Sequence, residues 1–545
     1  MSTTAIRLPS RKWSMIASGA ACMCVVVLSY IFAVSMALVC LALPFVLSQV
    51  MPINNESLWF VTGLLFSVYL LLSLFGLVAG FKILWSLVPR MSPFEINGVL
   101  IDLTKEKRLA THIKEIAGAL NVSMPSEVYL TGDATAVATQ LGGFMGLGSR
   151  RILRLGLPLF QMLTISQFRA VLAHEFAHFY AGDTRRWLDF TQRAIARVYE
   201  NLGQKSGVCS FLSRNSVVAG PYIMLMGAIQ VYWKIFIRLV RLICSQEEYR
   251  SDELACHVAG SQSLIEGLQN VRKCDALMHF YWTSIVLPVA TGGFQPPVAE
   301  GFRRFMKVPQ IARAASDFLA EQIRDPRTDP SDTHLPLIKR IEQARFHSLP
   351  TPTIFNHASA HVLPMISLIN ELGPLEINLL RKLLPDLADT ELRPMNWDTA
   401  GKEVYVPMWR SQIANFVPIL STKTLSALHG LVIKPKAISD RVLNPPRMRL
   451  NRAQRDAKAL EILSCALSLS LLDHGWKLFV QPGIVSLRCN NTSLEPVSLI
   501  AAMKSGRVST KQWEDYCSKA EISDWLLVPS AMSSLKRLVK LRLNG

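Results

Sequence analysis

Ala170-Val-Leu-Ala-His-Glu-Phe-Ala-His-Phe179 is the stretch that decides the reading of this chain. On a helix, positions i and i+4 lie on one face, so His174 and His178 can reach a single metal ion. Glu175 sits about 100° round the helix from His174 and can address a water on that ion without occupying a ligand position. The surroundings predict the helix this chemistry needs. Thr164 and Gln167 have capping-box spacing, Gly182 is a C-terminal stop, and Phe168, Val171, Leu172 and Phe179 supply an apolar face.

A catalytic zinc takes three protein ligands and leaves one position for water. Glu248-Tyr-Arg-Ser-Asp252 offers the best third ligand. Glu248 and Asp252 stand four apart on a predicted helix and share a face. Glu248 is expected on the metal, with the adjacent Glu247 as its competitor. Asp252 is expected to accept a hydrogen bond from the non-ligating nitrogen of a zinc histidine, fixing its tautomer. A solvated acidic helix face is the plain alternative.

Several other stretches stand in a telling order. They are Asp133-Ala-Thr-Ala-Val-Ala138, Leu155-Gly-Leu-Pro-Leu159, Gly182-Asp-Thr184 and Thr333-His-Leu-Pro-Leu-Ile-Lys-Arg-Ile341. Together with the two motifs above, they resemble the HtpX and CAAX prenyl endoprotease type of membrane zinc metallopeptidase, a gluzincin family. The resemblance spans about residues 95–348. It implies one Zn2+ per chain, protein or peptide substrates, membrane proteins among them, and a place in membrane-protein quality control. It also implies that Thr135 holds the substrate backbone, and that His334 and Arg340 stabilise the developing oxyanion. Three positions depart from the family pattern: Thr135 replaces Asn, Ser251 replaces Ala and Leu335 replaces Pro.

Composition points to a lipid bilayer as the other partner. Half of the 545 residues are hydrophobic, and Lys plus Arg exceed Asp plus Glu by 58 − 40 = 18. Residues 14–49 and 58–81 carry no charge and are each long enough to cross a hydrocarbon core as helix, which takes about 20 residues. Arg7, Arg11 and Lys12 precede the first run, Lys82 and Arg90 follow the second, and the loop 51–57 has no Lys or Arg. The positive-inside rule therefore puts both ends of the pair, and the catalytic domain after it, in the cytoplasm. The resemblance makes this a bacterial inner membrane. The ten cysteines show no zinc-type pairing and read as reduced, buried thiols. No nucleic-acid motif accompanies the basic excess. The basic run Lys434–Lys458 reads as a solvated face, or as a dock on anionic headgroups.

The expected fold class is α+β: an N-terminal transmembrane helix pair, a mainly helical gluzincin metallopeptidase domain with a small β-sheet, and a C-terminal α/β accessory region. The expected domains are 1–90, 91–348 and 349–545. The stretch 216–243 is apolar but interrupted by Lys234, Arg238 and Arg241. Because His174 and Glu248 must meet, an even number of crossings separates them, so this stretch is expected to be a buried or interfacial helix rather than a single crossing. The strand around Arg151–Gly156 is expected to bind substrate as an added β-strand. The expected activity is a zinc metalloendopeptidase with Glu175 as general base. A catalytically inactive, membrane-tethered scaffold or adaptor is the competing class. Prenyl-protein processing is disfavoured by the small membrane content.

Overall fold

The computed structural model describes residues 12–50, 59–88, 96–141, 150–180, 184–203, 214–325, 335–347, 362–387, 390–442, 450–490 and 492–528. The chain is mostly helical, with small sheets. The two apolar runs form α1 (Lys12–Val50) and α2 (Trp59–Leu87), which pack side by side, and Pro44 lies within α1 without ending it. Their contact is close because Gly76 of α2 sits on the Cys40 carbonyl of α1, where a Cβ would not fit. Outward-facing Leu28, Val39, Phe45, Leu64, Phe66 and Phe81 leave the pair apolar on its free surface.

Two further helices extend this pair into a four-helix arrangement. In β1 (Gly98–Leu100), α3 (Lys107–Ala119), β2 (Glu127–Thr131), β3 (Ala136–Leu141) and β4 (Arg150–Gly156) the chain builds a four-stranded sheet of order β1-β2-β4-β3. Then come α4 (Ile165–Tyr180), α5 (Thr184–Gly203) and the 44-residue α6 (Ser216–Ala259). Leu188 and Ile195 of α5 pack with Phe236, Val240 and Cys244 of α6 and with Cys22 and Val26 of α1. Further along, Val198 and Leu202 pack with Val218, Leu225 and Ile229, and with Ala33 and Ala37. α5 thus carries the chain out along the α1–α2 pair and α6 brings it back.

This changes the account of residues 216–243. They are the outer part of α6, one of three helices long and apolar enough to cross a membrane, with Gly19–Val50 and Gly63–Leu87. The out-and-back course of α5 and α6 brings His174 and Glu248 to the same end of the bundle, with 216–243 packed along α1 and α5. The sequence hid this because α5 is amphipathic, with Arg193 and Glu200 exposed, and does not stand out as an apolar run.

The core around α4 and the end of α6 does not stop at residue 348. It includes Met365, Leu368, Leu379, Leu380, Trp397 and Val404 alongside Phe160, Phe168, Phe176 and Phe302. Two backbone bonds, Ile165 N–H to Leu363 O (2.9 Å) and Met365 N–H to Leu163 O (2.8 Å), clip residues 363–365 onto the start of α4. After α7 (Ser261–Tyr281) and α8 (Val298–Met306) come α9 (Leu337–Phe346) and α10 (Leu372–Leu383). α10 lies against β1 and β2, and Lys382 Nζ donates to Gly98 O at 3.0 Å. Glu376 of α10 accepts from Ala299 N–H at 2.7 Å, in the first turn of α8. The expected domain boundary at 348 therefore falls inside one hydrophobic core. A second core begins near Trp409. It surrounds α11 (Arg452–Asp473), which has an Asn451–Gln454 capping box, and the antiparallel sheet β5 (Lys477–Gln481), β6 (Ile484–Cys489), β7 (Thr492–Leu494).

Candidate metal centre

The predicted capping box starts α4. Thr164 Oγ1 accepts from Gln167 N–H at 3.3 Å, and Gln167 Oε1 accepts from Thr164 N–H at 3.2 Å. Such reciprocal caps satisfy two donors that the first turn leaves open. α4 then packs along α6, its apolar face buried through Phe168, Leu172 and Phe176. The face turned to α6 carries the two histidines, and α6 answers with Glu248 and Asp252, both fully buried.

Three ligand atoms converge. His174 Nε2 and His178 Nε2 are 3.2 Å apart, His178 Nε2 lies 3.4 Å from Glu248 Oε1, and His174 Nε2 lies 3.6 Å from Glu248 Oε2. A tetrahedral zinc with ligands at about 2.0–2.2 Å separates its ligand atoms by about 3.3–3.6 Å. The spacing therefore fits such an ion, and two imidazoles with a carboxylate are a donor set zinc accepts. His174, His178 and Glu248 form the group among the described residues able to hold a metal. Glu247 is buried next to Glu248 but does not belong to it.

The far sides of the two rings are also engaged. His174 Nδ1 donates to Asp252 Oδ1 at 2.8 Å, the contact expected of Asp252. Arg340, on α9 and buried, holds the same carboxylate in a fork: Nε to Oδ2 at 2.9 Å and a terminal nitrogen to Oδ1 at 2.6 Å. That terminal nitrogen also lies 3.1 and 3.2 Å from the two ring nitrogens of His174. Burial works against the guanidinium charge, but the Asp252 carboxylate more than offsets it and holds Arg340 protonated. Arg340 thus pairs with Asp252 beside the His174 ring. His178 Nδ1 meets Ser251 Oγ at 3.2 Å.

Glu175 is buried at the edge of this group, and its Oε2 accepts from Ala138 N–H at 3.2 Å. That bond identifies which strand faces the metal site. β4 is paired on both sides, parallel to β2 and antiparallel to β3, so it has no edge to offer. The expectation that Arg151–Gly156 receives the substrate strand is therefore corrected. Among the described residues β3 pairs with β4 alone, and its other edge is turned to Glu175. The Ala-Thr-Ala-Val-Ala138 motif is visible in the sequence, whereas its edge position follows only from the strand order. Thr135 precedes this strand, and its carbonyl accepts from Gly156 N–H at 2.8 Å. The approach leaves no room for a Cβ on Gly156, which would meet the Asp133 carbonyl and the Thr135 backbone. His334 lies outside the described residues.

Residues 103–346 match the model of peptidase family M48. This segment belongs to that family. The M48 domain so defined holds the histidine pair, the glutamates, Asp252 and Arg340. It stops short of residues 363–404, which complete its core. No curated protein and no solved structure matches the chain.

Proposed function

We infer that the chain is a membrane-anchored zinc endopeptidase of the HtpX-like kind. The convergence of His174, His178 and Glu248 at tetrahedral spacing carries this reading. Zinc, when bound there, supplies the Lewis acidity that activates water and polarises a scissile carbonyl. Glu175 takes the proton of the attacking water and returns it to the leaving amine. Asp252 and Arg340 act one step back: they lock the His174 ring so that Nε2 faces the ion. The β3 edge, with Thr135 at its start, receives the substrate backbone as an antiparallel strand, and Ala138 N–H passes from Glu175 to that backbone.

Three helices long and apolar enough to cross a membrane support a site beside a bilayer. Leu242, two-thirds exposed, is the outward apolar residue of α6 nearest in sequence to Glu248. Six residues of helix span about 9 Å, so the metal centre stands close to the apolar belt. Membrane proteins entering from the bilayer surface are the substrates this favours. The catalytic side is cytoplasmic, at the inner membrane of a bacterium, and quality control of membrane proteins is the fitting role. An inactive scaffold has no need of a complete donor set with a base beside it.

Glu175→Gln tests the mechanism. The variant should retain one zinc per chain and lose cleavage of an unfolded protein substrate by about 10³-fold or more. Cleavage at the wild-type rate would remove Glu175 from the mechanism.

A further inference from the structure

We propose that Ser251 is a positioning residue for the second histidine of the metal centre. The proposal rests on the zinc reading above. His178 presents Nε2 to His174 Nε2 and Glu248, so the ring must keep its proton on Nδ1. The group 3.2 Å from that nitrogen is the Ser251 hydroxyl, 2 % exposed, which accepts the Nδ1–H bond. The two rings are thereby oriented from one helix. Asp252 holds His174, and its neighbour Ser251 holds His178.

This arrangement follows from where α6 runs. Ser251 and Asp252 are consecutive, about 100° apart round the helix, and the two imidazoles stand nearly perpendicular, at 85°. Rings at that angle present their Nδ1 atoms in different directions. Asp252 reaches His174, and the position just before it on the helix reaches His178.

Orienting partners of zinc histidines typically hold about 10- to 100-fold in metal affinity. A neutral hydroxyl at 3.2 Å belongs at the lower end. The test is competition between the full-length, detergent-solubilised protein and a zinc chelator. It compares the wild type, Ser251→Ala, and Ser263→Ala as a control that removes a buried hydroxyl on α7. Ser251→Ala should bind zinc about tenfold more weakly, with Ser263→Ala at the wild-type value. Equal affinity for Ser251→Ala and wild type would overturn the proposal, as would equal weakening in both variants, which would mark a general loosening of the fold. If the wild type itself takes up no zinc, the zinc reading fails first, and the Ser251 role with it.

Discussion

Arg340, Asp252 and His174 form a buried chain of charge-assisted contacts. Such a chain is costly to interrupt, since removing one partner strands the other without water or counter-charge. Arg340→Met should therefore destabilise the M48 domain by about 3–5 kcal/mol, read as a lowered midpoint of chemical unfolding, and should weaken zinc binding. An unchanged midpoint would show that Asp252 finds another cation. At this scale much was legible. The i, i+4 spacing of His174 and His178, and of Glu248 and Asp252, fixes which side chains share a face once the helices exist. Arg340 was legible as part of the site, but its partner was not. Whether a guanidinium points at a substrate or at a carboxylate depends on how α9 lies against α6, and no local pattern encodes that. Ser251 carried only a faint signal, a hydroxyl where the resembled family has a methyl group.

The strands and helices place these groups, and here local reading reached less far. β2 and β4 were visible as short apolar runs, and α4 was visible through its cap. The strand order was not, because the register of non-neighbouring strands follows from tertiary packing. That order makes β3, not β4, the edge beside Glu175. Ala138→Pro removes the one edge donor that reaches the base and is tolerated by an edge strand. The expected outcome is retained zinc with peptide cleavage reduced by about 10²-fold or more, since a donor that positions substrate is lost. Normal cleavage would exclude this edge as the binding strand. The hairpin of α5 and α6 escaped sequence reading for a different reason. α5 buries one stripe against three apolar helices and shows charge on the other, so its burial is partner-dependent.

At the scale of the whole molecule, residues 363–404 belong to the body of the M48 domain. A chain ending at residue 348 would expose Phe160, Phe302 and Phe305 and lose Met365, Leu368, Leu379, Leu380 and Trp397. Burial of each such side chain is worth about 1.5–3 kcal/mol, and the sum is on the order of, or above, the roughly 5–15 kcal/mol by which a domain is stable. The truncated protein should fail to fold, seen as loss of a cooperative melt; a cooperative melt would contradict the shared core. The contact between α10 and α8 also titrates. Burial pushes the Glu376 carboxyl from 4.5 up to about 7, with Glu300 adding to the rise. Tyr281 and Tyr405 are the other titratable groups of this cluster. A folded-state value above the unfolded one contributes stability at low pH that is lost as pH rises through about 7. Stability should therefore fall between about pH 5 and pH 8, by up to about 3 kcal/mol, and Glu376→Gln should flatten the trend. A profile identical in both proteins would remove Glu376 as its cause. The central claim is that His174, His178 and Glu248 hold one zinc. X-ray absorption at the zinc edge of the purified, full-length protein tests it directly. The expected result is one zinc per chain with two imidazole nitrogens and carboxylate or water oxygens at about 2.0–2.2 Å, and loss of the metal in His178→Ala. A sulfur-dominated shell, or zinc retained in that variant, would contradict it.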